Sequence, residues 1–222
     1  MNSNNGKRQN KDMEKDLVWE EIATEHIIQD KWIDFRKSAY RFPDGRVFEP
    51  YYSYSLRDYV VIVASDEEGK YLCVRQFRQG IREVTTEFPA GVIEHTDCRE
   101  DGKKDSLPEA EDGLETAGRK PVKGEAALAA ARRELLEETG YVSDDWKHLL
   151  TVPSHATIAD NYAHIFLAAG CRRSREQSLD ETEFLKVRKY SPDEIERLIA
   201  DGGFQQAVHI MAWLLAQRTP AL

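Results

Sequence analysis

Glu134, Glu137 and Glu138 stand three and four residues apart in the stretch "GEAALAAARRELLEETGYV" (124–142). Successive helical residues advance by roughly 100°, so this spacing brings the three carboxylates to one face. Leu128, Ala131 and Leu135 then form an apolar stripe that can pack on a sheet. The acidic face costs stability on its own, because carboxylates at a helix C-terminus oppose the dipole and Glu134 and Glu138 repel at i, i+4. Hard oxygen donors held close together suit Mg²⁺ or Mn²⁺, ions that keep waters and bridge to substrate phosphates. Such ions stabilise both the attacking and the leaving oxygen of an in-line displacement. The competing reading is a solvated acidic face laced with pairs such as Arg133–Glu137.

The elements around this stretch limit what it can be. The chain has 222 residues, 41% hydrophobic and 32% charged, with a formal net charge of −9. That length buries one sizeable core, and the composition reads as soluble and globular. The negative balance argues against a bulk grip on nucleic acid or on an anionic membrane, so an anionic ligand needs a metal or a local arginine cluster. No apolar run approaches the ~18 residues of a membrane span. The opening "MNSNNGKRQNKDMEKD" (1–16) is polar, lacks the apolar core of a signal peptide and reads as a disordered tail, so a cytoplasmic setting is expected. Cys73, Cys98 and Cys171 form neither a disulfide framework nor a zinc pattern, and Cys73 reads as strand core.

Residues 17–56 carry strand signals around the turn sequence Pro43-Asp44-Gly45. Their aromatic run, Tyr51, Tyr52 and Tyr54 with Trp32 and Phe35, exceeds what a small isolated sheet covers, which points to a dimerisation segment. "YVVIVAS" (59–65) and "YLCVRQF" (71–77) read as antiparallel partners, and "TTEFPAGVIE" (85–94) as a strand broken at Pro89 and Gly91. Residues 95–123 are charged, with Gly and Pro and few apolar residues, an unusual loop inside a compact domain. After the acidic helix, strands are expected at about 146–152, 163–169 and 183–188. A capping-box helix should begin at Ser191-Pro192-Asp193-Glu194, and a last helix lies in "FQQAVHIMAWLLAQR". Strand runs interrupted by one central helix and finished by two suggest an α+β or α/β/α sandwich.

"RRELLEETGY" places Arg133, Glu134, Leu135, Glu137, Glu138, Gly140 and Tyr141 in the order R-E-U-x-E-E-x-G-U, which resembles the Nudix box, G-x5-E-x7-R-E-U-x-E-E-x-G-U. Glu125 stands the right seven residues before Arg133, but position 119, where the box glycine belongs, is Arg. "EFPAGVIE" (87–94) resembles the E-x-P-A-G-x-x-E lead-in, so Gly91 takes the glycine's place and 95–123 become an insertion inside the box. The resemblance covers roughly 57–217. "VRQFR" (74–78) followed by "EFPAG" points to the ADP-ribose and nucleotide-sugar branch.

That resemblance implies a Nudix α/β/α sandwich over 57–222, an N-terminal antiparallel β domain over 17–56, and a homodimer. It implies Mg²⁺-dependent, with Mn²⁺ possible, attack of water on the pyrophosphate of a small nucleoside diphosphate derivative, and no nucleic-acid or membrane partner. Its metal ligands correspond to Glu134, Glu137, Glu138 and the carbonyl of Ala90, with Arg133 orienting the carboxylates. Glu125, nine residues before Glu134, falls about half a helical revolution away and is assigned to the first turn. Arg78 corresponds to a phosphate-binding arginine, its alternative being a solvated strand end. Glu87, with a surface role as its alternative, and Arg57 complete the substrate-binding set.

The pattern departs where the branch places a proline and then a glutamate base: here stand Thr157 and Ala159-Asp160-Asn161. Asp160 is the leading base, with His155, His164, Glu181 and Glu183 as further candidates. A Nudix-fold module that binds or senses a nucleotide without hydrolysing it is the alternative function, although no metal carboxylate is missing. A decapping enzyme would call for a basic RNA surface.

Overall fold

The computed structural model describes residues 14–94, 126–181 and 183–219. The tail over 1–13, the 95–123 insertion and Glu125 lie outside the described residues. The chain divides into two compact units, one reaching to Leu56 and including His155–Asn161, the other formed by Arg57–Ser154 and the chain from Tyr162 onward.

The first unit is an antiparallel sheet of β1 (Glu20–Gln29), β2 (Asp34–Arg41) and β3 (Val47–Ser55), with β2 in the centre. The run "IIQDKWIDFRKSAYRF" is therefore two strands. Asp30 breaks it, its Oδ1 accepting from the backbone of Trp32 at 2.7 Å and of Ile33 at 2.9 Å. The turn at Pro43-Asp44-Gly45 forms as the residues dictate. Gly45 takes a φ of 87°, and Asp44 Oδ1 accepts from Arg46 N at 3.0 Å. Trp19 packs edge-on against Tyr40 and Tyr51 and tilted on Phe42. The segment 155–161 is held to β3 by Tyr54 N to Ile158 O at 2.8 Å and by the Tyr51 hydroxyl to Thr157 O at 2.7 Å.

The second unit is an α+β sandwich. Its strands are β4 (Tyr59–Asp66), β5 (Tyr71–Arg78), β6 (Glu83–Glu87), β7 (Ala90–Val92), β8 (Tyr141–Val142), β9 (Asp145–Pro153), β10 (Tyr162–Arg173) and β11 (Leu185–Tyr190). The sheet runs β11-β5-β4-β10-β8, with β6 on β5, β7 on β4 and β9 on β10. β4 pairs with β10 in parallel, and the remaining ladders are antiparallel. β4 is apolar without interruption from Val60 to Ala64 because both of its faces are covered there. Val60, Ile62 and Ala64 pack beneath α1 (Ala127–Thr139), whose Ala130, Ala131 and Leu135 fill that side. Val61 and Val63 face the opposite layer, built from α2 (Pro192–Ala200) and α3 (Ala207–Gln217) with Ile195, Phe204 and Trp213. Cys73 is buried in this second layer, as its position in "YLCVRQF" suggests.

The start of α2 carries the expected chemistry. Ser191 and Glu194 form the reciprocal capping box, with proline at the start of α2. No helix among the described residues is long and apolar enough to cross a membrane.

Candidate active site

The acidic face of α1 is not a wet surface. Glu134 and Glu138 are only 6% and 2% exposed, so the solvated-face reading fails for these two. Their carboxylates turn toward β7. Ala90 N donates to Glu138 Oε2 at 3.0 Å. A side chain on Gly91 would overlap the Glu134 carboxylate, so the turn "PAG" requires glycine there for the helix to approach. Arg133 ties the same parts together. Its Nη1 donates to Glu134 Oε1 at 2.7 Å and to Glu137 Oε2 at 3.0 Å, while Nη2 donates to Val92 O at 2.9 Å. The i, i+4 pair expected from the sequence exists, but it orients carboxylates instead of decorating a solvent face.

Burial dominates the electrostatics. It pushes Glu134 up to about 7 against the opposing charge of Arg133, with Glu137 and Glu183 adding repulsion. Burial raises Glu138 well above the ordinary carboxylate range, against the Ala90 hydrogen bond, and Glu134 and Glu183 push the same way. Two buried carboxylates one turn apart are an expensive arrangement unless a cation shares them. Among the described residues no three His, Cys, Asp or Glu side chains converge on one point, so Glu134, Glu137 and Glu138 do not form a ready three-carboxylate cage. The donor chemistry fits a hard divalent ion, which Glu134, Glu138 and main-chain oxygen near Ala90 would hold.

Glu183 is the residue whose rank changes. It sits on the segment before β11, its Oε2 accepts from Asp180 N at 3.1 Å, and its charge acts on both Glu134 and Glu138. The segment leading to it is fastened to the end of α1. Ser178 N donates to Glu137 O at 2.9 Å, Gln177 Nε2 to Glu138 O at 2.5 Å, and Ser174 N to Gly140 O at 2.8 Å. Sequence spacing offered only its nearness to a strand start. Glu181 is exposed.

Asp160 belongs to the other unit, where Ser55 Oγ donates to its Oδ2 at 2.6 Å and Arg36 pairs with it at 3.5 Å. His155 lies exposed on the same segment. His164 is on β10, its Nδ1 3.1 Å from Thr151 Oγ1 and its Nε2 3.9 Å from Asp58. Arg57 is half-buried just before β4.

Arg78 ends β5 beside Glu138, whose charge contributes to raising the guanidinium; the Glu87 hydrogen bond is the larger cause. Glu87, for which a surface role was the alternative, is fully buried. Burial pushes its carboxyl up, but hydrogen bonds from Arg78 and Thr85 outweigh that and hold it below the usual range.

A sandwich whose one central helix lays buried carboxylates against a glycine turn, with an arginine at the neighbouring strand end, defines a class of hydrolases acting on phosphate-linked substrates. The NUDIX domain model matches residues 55–214, and the chain belongs to the NUDIX family. It is a Nudix hydrolase, a group that generally uses a divalent metal and acts on small nucleoside diphosphate compounds. It is 28% identical over 192 residues to the ADP-ribose pyrophosphatase of Bacillus subtilis (strain 168), covering 83% of this chain and 85% of that one. It is also 24% identical over 208 residues to the methanol dehydrogenase activator of Bacillus methanolicus, covering 90% and 94%. The crystal structure of an ADP compounds hydrolase shares the fold at a TM-score of 0.66 and 17% identity, covering 90% of this chain and 92% of that one.

Proposed function

We propose that this protein hydrolyses the pyrophosphate of a nucleoside diphosphate linked to a second moiety, with ADP-ribose or a nucleotide sugar as substrate and Mg²⁺ as the metal. The products are a nucleoside monophosphate and a sugar phosphate; for ADP-ribose, water is added across the anhydride to give AMP and ribose 5-phosphate. The observation that carries this reading is the closure of buried Glu134 and Glu138 on the Ala90–Gly91 turn, with Arg78 at its edge. The similarity to an ADP-ribose pyrophosphatase supports the substrate class.

Glu134 and Glu138 would hold the metal with the carbonyl of Ala90, and Glu137 stays on Arg133 as part of the frame that orients Glu134. When bound, the metal neutralises charge on the pyrophosphate and lowers the pKa of water. Arg78 offers a planar guanidinium to a phosphate oxygen. Glu183 is our choice of base, ahead of Asp160, because its charge is felt by both metal carboxylates. A carboxylate on a segment anchored at the end of α1 is placed to take a proton from attacking water.

The test is a panel of ADP-ribose, nucleotide sugars, dinucleotides and triphosphates incubated with the purified protein and Mg²⁺, Mn²⁺ or a chelator. Metal-dependent release of a monophosphate from ADP-ribose or a nucleotide sugar is expected. Binding without turnover across the whole panel would favour the sensing module instead.

A further inference from the structure

Glu87 ends β6 with a carboxylate that solvent does not reach, its side chain being 0% exposed. Arg78 grips it side-on, with Nε 2.9 Å from Oε1 and 3.2 Å from Oε2, and Nη2 2.5 Å from Oε2. Thr85 Oγ1 donates to Oε1, and Gln206 Nε2, just before α3, stands 3.4 Å from the same oxygen. A carboxylate enclosed in this way has no surface left for a substrate. The Arg78 side chain, by contrast, is 37% exposed, and no described residue accepts a hydrogen bond from its Nη1. A guanidinium is rigid and planar, so fixing two of its nitrogens fixes the direction of the third.

We propose that Glu87 is a positioning residue: it sets the plane of Arg78 so that Nη1 addresses a substrate phosphate oxygen, while Thr85 and Gln206 hold the carboxylate from behind. This rests on the reading of Arg78 as a phosphate ligand. It separates two residues that the sequence pattern groups together as substrate-binding. Arg78 touches the substrate, and Glu87 acts only through Arg78.

A double-mutant cycle on the full chain, with ADP-ribose and saturating Mg²⁺, tests it. Glu87→Gln keeps the shape and weakens the charge-assisted grip, so KM should rise about tenfold while kcat stays within about twofold. Arg78→Lys keeps the positive charge beside Glu87 and loses the fork, and should lower kcat/KM by about 10- to 100-fold. In the Arg78→Lys background, Glu87→Gln should add less than about twofold. Losses that multiply would overturn the inference, because Glu87 would then act independently of Arg78. Wild-type KM in Arg78→Lys would overturn the phosphate-ligand reading beneath it. Thermal melts of each variant identify any that do not fold. Should Glu87→Gln be one, Gln206→Ala, which loosens the carboxylate from behind, replaces it in the cycle. A KM rise of about two- to threefold that vanishes beside Arg78→Lys supports the proposal, and one that persists undiminished overturns it.

Discussion

At the residue scale, burial of charge decides which side chains matter. Glu134 and Glu138 are kept out of water at a cost that packing alone does not explain, whereas Asp160 has a serine and an arginine as partners in its own unit. The base assignment follows, and it predicts that Glu183→Gln lowers kcat by about 10²–10⁴-fold while Asp160→Asn leaves turnover within a few-fold. Rate measurements showing the reverse would return the role to Asp160. A second prediction concerns His209, buried on α3. Its Nδ1 accepts from Phe88 N at 3.1 Å, and burial depresses the imidazole to about 4, with Glu87 opposing and Arg78 reinforcing. The unfolded chain takes up that proton near 6.5, well before the folded one does. Stability supplied by the neutral ring is therefore complete above about pH 6.5 and is lost as pH falls toward 4, by up to about 3 kcal/mol. Denaturation across pH 4–7 should be steeper in the wild type than in His209→Gln; equal slopes would remove His209 from the account. The acidic triplet was legible in the sequence, but the burial was not: Glu87 stood among the substrate-binding candidates with a surface role as its alternative, and His209 was not singled out. Burial of a polar side chain depends on what packs behind it, and here that is a helix some 120 residues away in the chain.

At the element scale, the sequence was most informative where local chemistry and global fold agree. The capping box at Ser191, the turn at Asp44-Gly45 and the doubly buried β4 all follow from neighbouring residues. The short strands β7 and β8, three and two residues long, carry no periodicity to read. The 155–161 segment lies between two strands of one unit and is packed in the other, which chain order does not reveal. The end of α1 is the element on which most depends. Gly140 caps it with a φ of 76°, its N–H bonds to Leu136 O, and a Cβ there would meet the carbonyl of Arg175. The carbonyls of Glu137, Glu138 and Gly140, which an open helix end leaves without partners, are taken up by the segment that leads to Glu183. Gly140→Ala combines an unfavourable left-handed conformation with that overlap, so a loss of about 2 kcal/mol or more is expected in chemical denaturation. Activity should fall further than stability, since the Glu183 segment loses its anchor. An unchanged midpoint and rate would show that the anchor is dispensable.

At the scale of the whole molecule, the family match and the sandwich fix the frame of the chemistry, and the three-stranded sheet raises a separate question. Trp32 is 70% and Tyr52 47% exposed, and Trp19, Ile22, Ile28, Val47 and Phe48 are exposed as well. Apolar exposure on this scale in one small sheet is covered by a partner in most proteins. The resemblance implies a homodimer, and if a second copy of the chain covers this sheet, light scattering at micromolar concentration returns twice the mass of 25.5 kDa. A monomeric mass would require another occupant for the sheet.

The central claim is that buried Glu134 and Glu138 exist to hold a metal that acts on a pyrophosphate. It is tested most directly by following AMP release from ADP-ribose for the wild type and for Glu138→Gln, each with Mg²⁺ and with a chelator. The wild type should turn over only with metal, and Glu138→Gln, which preserves shape and removes one negative charge, should be slower by at least ~100-fold in kcat. Turnover that survives chelation, or a Glu138→Gln enzyme that runs near the wild-type rate with Mg²⁺ present, would contradict it.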